Sequence, residues 1–206
     1  MTQTAIPALP QTPPWVHPAV YDRQYFRMSV EEYEELGRQG ILTPNSKVEL
    51  IEGNLVIKRM QNSPHSSTLN RLDEDLKKGV PDTWRVRIQL PIKILESMPE
   101  PDAVIAKGDR RAFDHQHPTA EQIGLVVEVS ESTLGYDRSI KMPLYSRAGI
   151  PEYWIVNLME SIVEVYTEPT FDNGYAIRRD YTRSDAVPLA LEGVVIASLY
   201  VADLLP

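Results

Sequence analysis

The chain has 206 residues, no cysteine and a formal net charge of −8, with 42% hydrophobic and 24% charged residues. Without cysteine there is no disulfide framework, no thiolate zinc or iron–sulfur site and no cysteine nucleophile, and the apolar content excludes wholesale disorder. The acidic balance argues against nonspecific grip on phosphate backbones through a generally basic surface.

Residues 1 to 20 are proline-rich without a periodic apolar pattern and read as an extended arm, leaving 21 to 206 as a single domain. The first residues lack a basic stretch followed by an apolar one, and no apolar run approaches the ~18 residues that cross a bilayer. A soluble cytoplasmic protein is therefore expected, with no membrane partner. Ser29 and Glu32 have the spacing of a capping box, so EEYEELGRQG is predicted as a short helix ending near Gly37 or Gly40. KVELIEGNLVIKRM supplies two β-rich runs turning about Gly53-Asn54. A helix is predicted from Pro64 through Lys78, because Leu69, Leu72 and Leu76 recur at helical spacing. WRVRIQLPIKI alternates Val86, Ile88 and Leu90 against Arg85, Arg87 and Gln89, as a half-exposed strand does, and Pro91 marks an edge or a break.

AVIA, residues 103 to 106, reads as a short apolar strand after Pro101-Asp102, and GLVVEVSEST begins as a strand buried on both faces. Pro143 is comfortable only in a first helical turn, so the next helix is predicted from about Ile140 into Gly149, leaving Asp137 in the loop ahead of it. YWIVNL, IVEVYT and YAIRRDYT read as further strands, and VVIASLYVADLLP closes the chain as a strand or a short helix. The order implies an α/β fold bordering on α+β, a mixed sheet flanked by helices.

Glu128 is the residue that demands a reason, since an ionised carboxylate among Leu125, Val126, Val127 and Val129 needs a partner, a metal or a shifted pKa. Strand alternation puts Val126, Glu128 and Ser130 on one face and Leu125, Val127 and Val129 on the other. If the strand after Asp102 is its neighbour, two carboxylates converge at one end of the sheet, and a divalent cation is the economical way to hold them together. Lys141, at the start of the following helix, is placed to swing back toward them. Simpler roles compete: Asp102 as a turn former, Glu128 bridged to Arg138 or Lys141, Lys141 on the surface, and Glu49 or Glu52 facing solvent. His65, ahead of a helix, is a candidate to cap it or to lie near the site, with the structural role favoured, and His115 with His117 lacks a third zinc ligand. Tyr145 and Trp154 read as core, and no histidine is placed to build a triad with Ser130 or Ser132.

EPDAVIA, LVVEVSEST and K-x-x-x-Y-x-x-x-G-I-P-E-Y-W-I-V-N together resemble the Uma-type endonuclease family, within the PD-(D/E)XK superfamily. VELIEGNLV and Ser-Pro-His at 63 to 65 are similar to its opening segment, and the likeness runs from about Met28 to Thr167. It implies a restriction-endonuclease-like core in which Asp102 and Glu128 ligate Mg2+ or Mn2+, with the backbone carbonyl of Val129 as a further ligand. The superfamily's lysine normally follows the acid by two positions, where this chain has Ser130, so Lys141 matches as a migrated lysine. Glu49 matches an accessory acid, and Asn157 replaces a frequent aspartate. The implied activity is metal-dependent hydrolysis of DNA leaving a 5′-phosphate. A degenerate fold serving as a binding or scaffold module, and a hydrolase of small phosphorylated molecules without a basic groove, are the alternatives. Since many nucleases cut two strands through two-fold symmetry, a homodimer is the expected assembly.

Overall fold

The computed structural model describes residues 26–172 and 174–206, so the arm expected at residues 1 to 20 lies outside them. The first helix, α1 (Val30–Arg38), starts with the predicted capping box: the Glu32 N–H donates to Ser29 Oγ at 3.2 Å, and the Ser29 N–H to Glu32 Oε2 at 2.8 Å. Its buried Val30 packs with Leu50 and Met98. Strands β1 (Val48–Ile51) and β2 (Asn54–Ile57) form an antiparallel hairpin in which Ile51 faces Asn54. The turn is therefore Glu52-Gly53, one residue earlier than expected. Both turn residues have positive φ, 47° and 75°, as a two-residue hairpin loop requires. Asn54 instead opens β2, where its side-chain amide donates to the carbonyls of Ile51 and Glu52.

Helix α2 (Ser63–Gly79) buries Leu69, Leu72 and Leu76 along one stripe. Its cap is Asn62, whose Oδ1 accepts the His65 N–H at 3.1 Å, so His65 itself is free to face elsewhere. The central sheet has the order β3 (Trp84–Ile88), β4 (Ala103–Lys107), β5 (Ile123–Ser130), β6 (Glu152–Asn157), β7 (Ile162–Thr170) and β8 (Gly174–Thr182). All neighbours are antiparallel except β5 and β6. A parallel pair needs a crossover, and the chain supplies it through α3 (Leu134–Tyr136), a π-helical turn (Asp137–Lys141) and α4 (Met142–Arg147).

That crossover corrects the expected helix start. Helical backbone begins at Leu134 and Asp137 is inside it, because the wide turn, with the Met142 N–H donating to the Asp137 carbonyl, replaces the tighter pattern with which the Pro143 ring would collide. One consequence is that Asp137 and Lys141 are both buried.

The two faces of β5 follow the predicted alternation. Leu125, Val127 and Val129 join α2, strands β9 (Ala186–Leu191) and β10 (Val194–Tyr200) and helix α5 (Val201–Leu204) in one core. Val126 belongs to the other core, with Leu144 and Tyr145 of α4 and Ile51 of β1. The C-terminal segment thus contains both a strand and a short helix. No helix among the described residues is long and apolar enough to cross a membrane.

Candidate active site

The antiparallel register of β4 and β5 places Ala103 opposite Val127, so Asp102 and Glu128 are the next residues where the backbone ladder stops. Each carboxylate then takes over a backbone donor of the other strand. The Val129 N–H donates to Asp102 Oδ2 at 2.8 Å, and the Asp102 N–H to Glu128 Oε2 at 3.3 Å. This reciprocal clasp satisfies two backbone groups that the strand ends would otherwise leave unpaired. It also fixes both acids at one end of the sheet, 8% and 6% exposed.

Asp102 is held from two further sides. Gln89, at the end of β3 with φ +51°, donates its side-chain amide to Oδ1 at 3.1 Å, and His65 Nε2 lies 3.0 Å from Oδ2. Glu128 Oε1 accepts the Tyr145 hydroxyl at 2.7 Å and the Lys141 ammonium at 3.3 Å. Lys141 Nζ also donates to Glu49 Oε2 at 2.9 Å, and that oxygen accepts the Glu100 N–H at 3.1 Å. Lys141 is thus a bridge between Glu49 and Glu128. Arg138, the other cation considered for Glu128, instead forks onto Glu164 at 2.5 and 3.0 Å. Of the two acids of the hairpin, Glu49 in β1 faces inward while Glu52 in the turn pairs with Arg147.

Burial pushes the Glu128 carboxyl up to about 8 against the opposing pull of Lys141. Burial alone would lower the Lys141 ammonium, but Glu128 and Glu49 outweigh it and hold the group above its ordinary value. Asp137 is raised as well, by burial, although Ser130 Oγ donates to its Oδ2 at 2.5 Å. Burial works against protonation of His65, yet the hydrogen bond and charge of Asp102 leave it raised.

Glu49, Asp102, Glu128, Val129 and Lys141 all line one cleft of about 660 Å3. Asp137, His65, Gln89 and Tyr136 line it too, and of these only His65 is a sequence candidate for a place near the site, as the less favoured of its two readings. For Asp137 a signal existed: it stands four residues before Lys141 on what becomes the same helical face. For His65 the signal is its position in Ser-Pro-His ahead of a helix, whereas Gln89 has none, since its approach depends on how β3 packs. Tyr145, expected only as core, is buried core and also a donor to Glu128. His115 and His117 do not line the cleft.

Among the described residues, no three histidine, aspartate or glutamate side chains are already arranged around a cation position. The donor chemistry nonetheless suits a hard divalent cation. Four buried carboxylates, those of Glu49, Asp102, Glu128 and Asp137, face one buried ammonium, that of Lys141. The excess of anionic oxygen ligands is the kind Mg2+ and Mn2+ take.

A scan of family models matches residues 30–199 to Uma2, described as "putative restriction endonuclease". Among solved structures, the chain is similar to a protein from Anabaena variabilis described as a "putative nuclease belonging to DUF820", with a TM-score of 0.67 and 18% identity. That alignment covers 86% of this chain and 97% of the other, and it shows the same fold. A search of curated proteins gives no match. The family match takes in α1, the whole central sheet and the β9–β10 ribbon, and on that evidence the chain belongs to the Uma2 restriction-endonuclease family.

Proposed function

We propose that this protein is a divalent-metal-dependent endonuclease that hydrolyses DNA phosphodiester bonds by PD-(D/E)XK-type chemistry. The observation that carries the reading is the cross-strand clasp of Asp102 and Glu128 with Lys141 Nζ 3.3 Å from Glu128, at the floor of a cleft. In this reading Asp102, Glu128 and the Val129 carbonyl hold Mg2+ or Mn2+. The cation would supply Lewis-acid polarisation of the scissile phosphate and a water of lowered pKa.

The chain's own groups then divide the remaining work. Lys141, kept as an ammonium by its two carboxylates, is a charge donor and not a proton acceptor, so it offsets the negative charge that builds on the phosphorane. Glu49 is an accessory acid that anchors Lys141, and Tyr145 fixes the Glu128 carboxylate from the side away from Asp102. Gln89 and His65 hold the Asp102 carboxylate in place. Attack of water on phosphorus with departure of the 3′ oxygen leaves a 5′-phosphate, and no covalent intermediate is required.

The test is cleavage of supercoiled plasmid and of single-stranded DNA with Mg2+ or Mn2+, comparing the native chain with Asp102→Ala and Lys141→Ala. Metal-dependent cleavage lost in both variants supports the assignment. Cleavage surviving in both, or none by the native chain, refutes it, and the latter outcome leaves a scaffold module. A second reading, hydrolysis of small phosphorylated molecules, is favoured by one observation. Of the lysines and arginines lining the cleft, Lys58 is paired with Glu100 and Lys141 with Glu49 and Glu128, which leaves Arg59 alone without a carboxylate partner among the described residues and so little free positive charge to hold a polynucleotide. Turnover of small phosphomonoesters without cleavage of DNA would select it.

A further inference from the structure

The scarcity of free cations raises the question of what would grip a nucleic acid here, and the cleft wall formed by β2 and the segment after it supplies an answer. Residues 54 to 62 all line the cleft whose floor carries Asp102, Glu128 and Lys141, so a phosphodiester reaching that floor must pass along this wall. The wall is unusual for a soluble surface. Ile57 is 77% exposed, Met60 83% and Leu55 43%. β2 pairs only with β1, so its other edge is unpaired within the described sheets. Between Ile57 and Met60, the two most exposed apolar side chains of this wall, stands Arg59. Among the described cations of this wall it has no carboxylate partner, and its Nη1 donates to the Ser132 carbonyl at 3.1 Å.

We propose that Ile57 and Met60 form an apolar wedge that contacts unstacked bases while Arg59 holds one phosphate, making single-stranded DNA the substrate of this cleft. This rests on the nuclease reading for the chemistry but on separate residues for the grip. Three features support it. Isoleucine and methionine are among the side chains that insert at base steps in proteins that deform DNA, because an unstacked base presents an apolar face that water solvates poorly. The four floor residues Glu49, Asp102, Glu128 and Lys141 are each more than nine-tenths buried. A stacked duplex keeps its backbone on the outside of a broad cylinder, whereas a single strand can bend down to them. Finally, a net charge of −8 and a cleft floor rich in carboxylates leave phosphate attraction too weak to supply most of the affinity, so contacts to bases must.

The test measures binding apart from cleavage. A fluorescein-labelled thymidine oligonucleotide and a duplex of the same length are titrated with the full chain in Ca2+, by fluorescence anisotropy. The single strand is expected to bind more tightly than the duplex. The double variant Ile57→Ser/Met60→Ser should weaken single-strand binding by about tenfold or more, the loss that follows when two apolar side chains no longer cover base faces. Arg59→Gln should flatten a salt dependence that is already shallow, with a slope of about −1 in log affinity against log salt. Both variants alter exposed side chains, and thermal melts verify that they fold. Equal or tighter duplex binding, or full single-strand affinity in the double variant, overturns the proposal. A native dimer that the double variant converts to monomer also overturns it, since a second copy would then be what covers the wall. If the native chain grips single strands through this wall but cleaves nothing, the nuclease reading fails and this one stands. If it cleaves but prefers duplex, the reverse holds.

Discussion

Glu128→Gln separates the electrostatic cost of the site from its chemistry, because the two respond with opposite signs. The native carboxyl is raised by burial from 4.5 to about 8. A folded-state pKa above the unfolded value means that Glu128 contributes its full stability below about pH 4.5. That stability is lost as pH rises through about 8, since the unfolded chain ionises first. Each pH unit in that window removes about 1.4 kcal/mol, so between pH 5 and pH 8 the native protein loses on the order of 4 kcal/mol through this residue. Relaxation around the charge reduces the figure, and about 2–4 kcal/mol is the expectation. Glutamine keeps one carbonyl oxygen that accepts from both the Tyr145 hydroxyl and Lys141, but it turns an NH2 toward the Asp102 N–H in place of the second carboxylate oxygen, which costs about 1–3 kcal/mol. The variant should therefore be the less stable protein at pH 5 and equal or more stable at pH 8. Urea unfolding in EDTA at the two pH values reads this directly. If the site holds a divalent cation as proposed, Mn2+ should raise the melting temperature of the native chain and not that of the variant. A stability difference between variant and native that does not change from pH 5 to pH 8, or that changes in the other direction, would refute the assignment of a carboxyl whose burial outweighs the pull of Lys141.

Three further outcomes follow from the same geometry. Lys141→Met should lower kcat for DNA cleavage by about 10²–10³-fold, and Lys141→Arg should not restore it, because a planar guanidinium does not replace a compact ammonium between Glu49 and Glu128; single-turnover cleavage rates decide. Glu164 is fully buried and its carboxylate accepts from Arg138, Asn157 and Tyr166, so Glu164→Ala should cost about 3–5 kcal/mol in urea unfolding. Its hydrogen bonds and cations outweigh burial and lower its pKa, so that contribution is present at neutral pH and is lost as pH falls below the ordinary carboxylate range toward the folded value. Glu152, raised to about 7 by burial, has the opposite sign: Glu152→Gln, which keeps the acceptor for the Trp154 indole N–H, should gain stability relative to the native chain by about 1–3 kcal/mol between pH 5 and pH 8.

The parts of the fold that could be read in advance are those that short-range chemistry decides. Ser29 with Glu32, the Leu69–Leu72–Leu76 stripe and the alternation along β5 each depend on neighbours within a turn or two of backbone, and each is realised. The hairpin turn falls one residue before Gly53-Asn54, and Gly53 alone does not distinguish the two registers because it tolerates a positive φ in either. The choice is made by Asn54, whose amide reaches back to Ile51 and Glu52. The C-terminal segment resisted assignment for a different reason: it changes from strand to helix at Tyr200–Val201, and apolar content alone does not mark that boundary.

The site divides along the same line. Asp102 and Glu128 could be paired from the sequence because their strands are sequential and their positions lie at corresponding ends, so adjacency needs only a neighbouring antiparallel register. Asp137 could not, because Pro143 argued for a helix that begins after it. The protein meets the proline's demand in another way, widening one turn while keeping the helix continuous. That widened turn brings Asp137 and Lys141 into the same cleft from one short segment, and it stands where the crossover must run to join the parallel strands β5 and β6. A π turn gives up ideal hydrogen-bond geometry, and such turns are frequent at functional sites. Removing it, by Pro143→Ala, is therefore the informative change: a regular α-helix becomes available, rotating Asp137 relative to Lys141. If the turn exists to set that pair, stability should be kept or improved while Lys141-dependent cleavage falls. If cleavage is unchanged although the helix has tightened, the turn only accommodates the proline and has no part in the site.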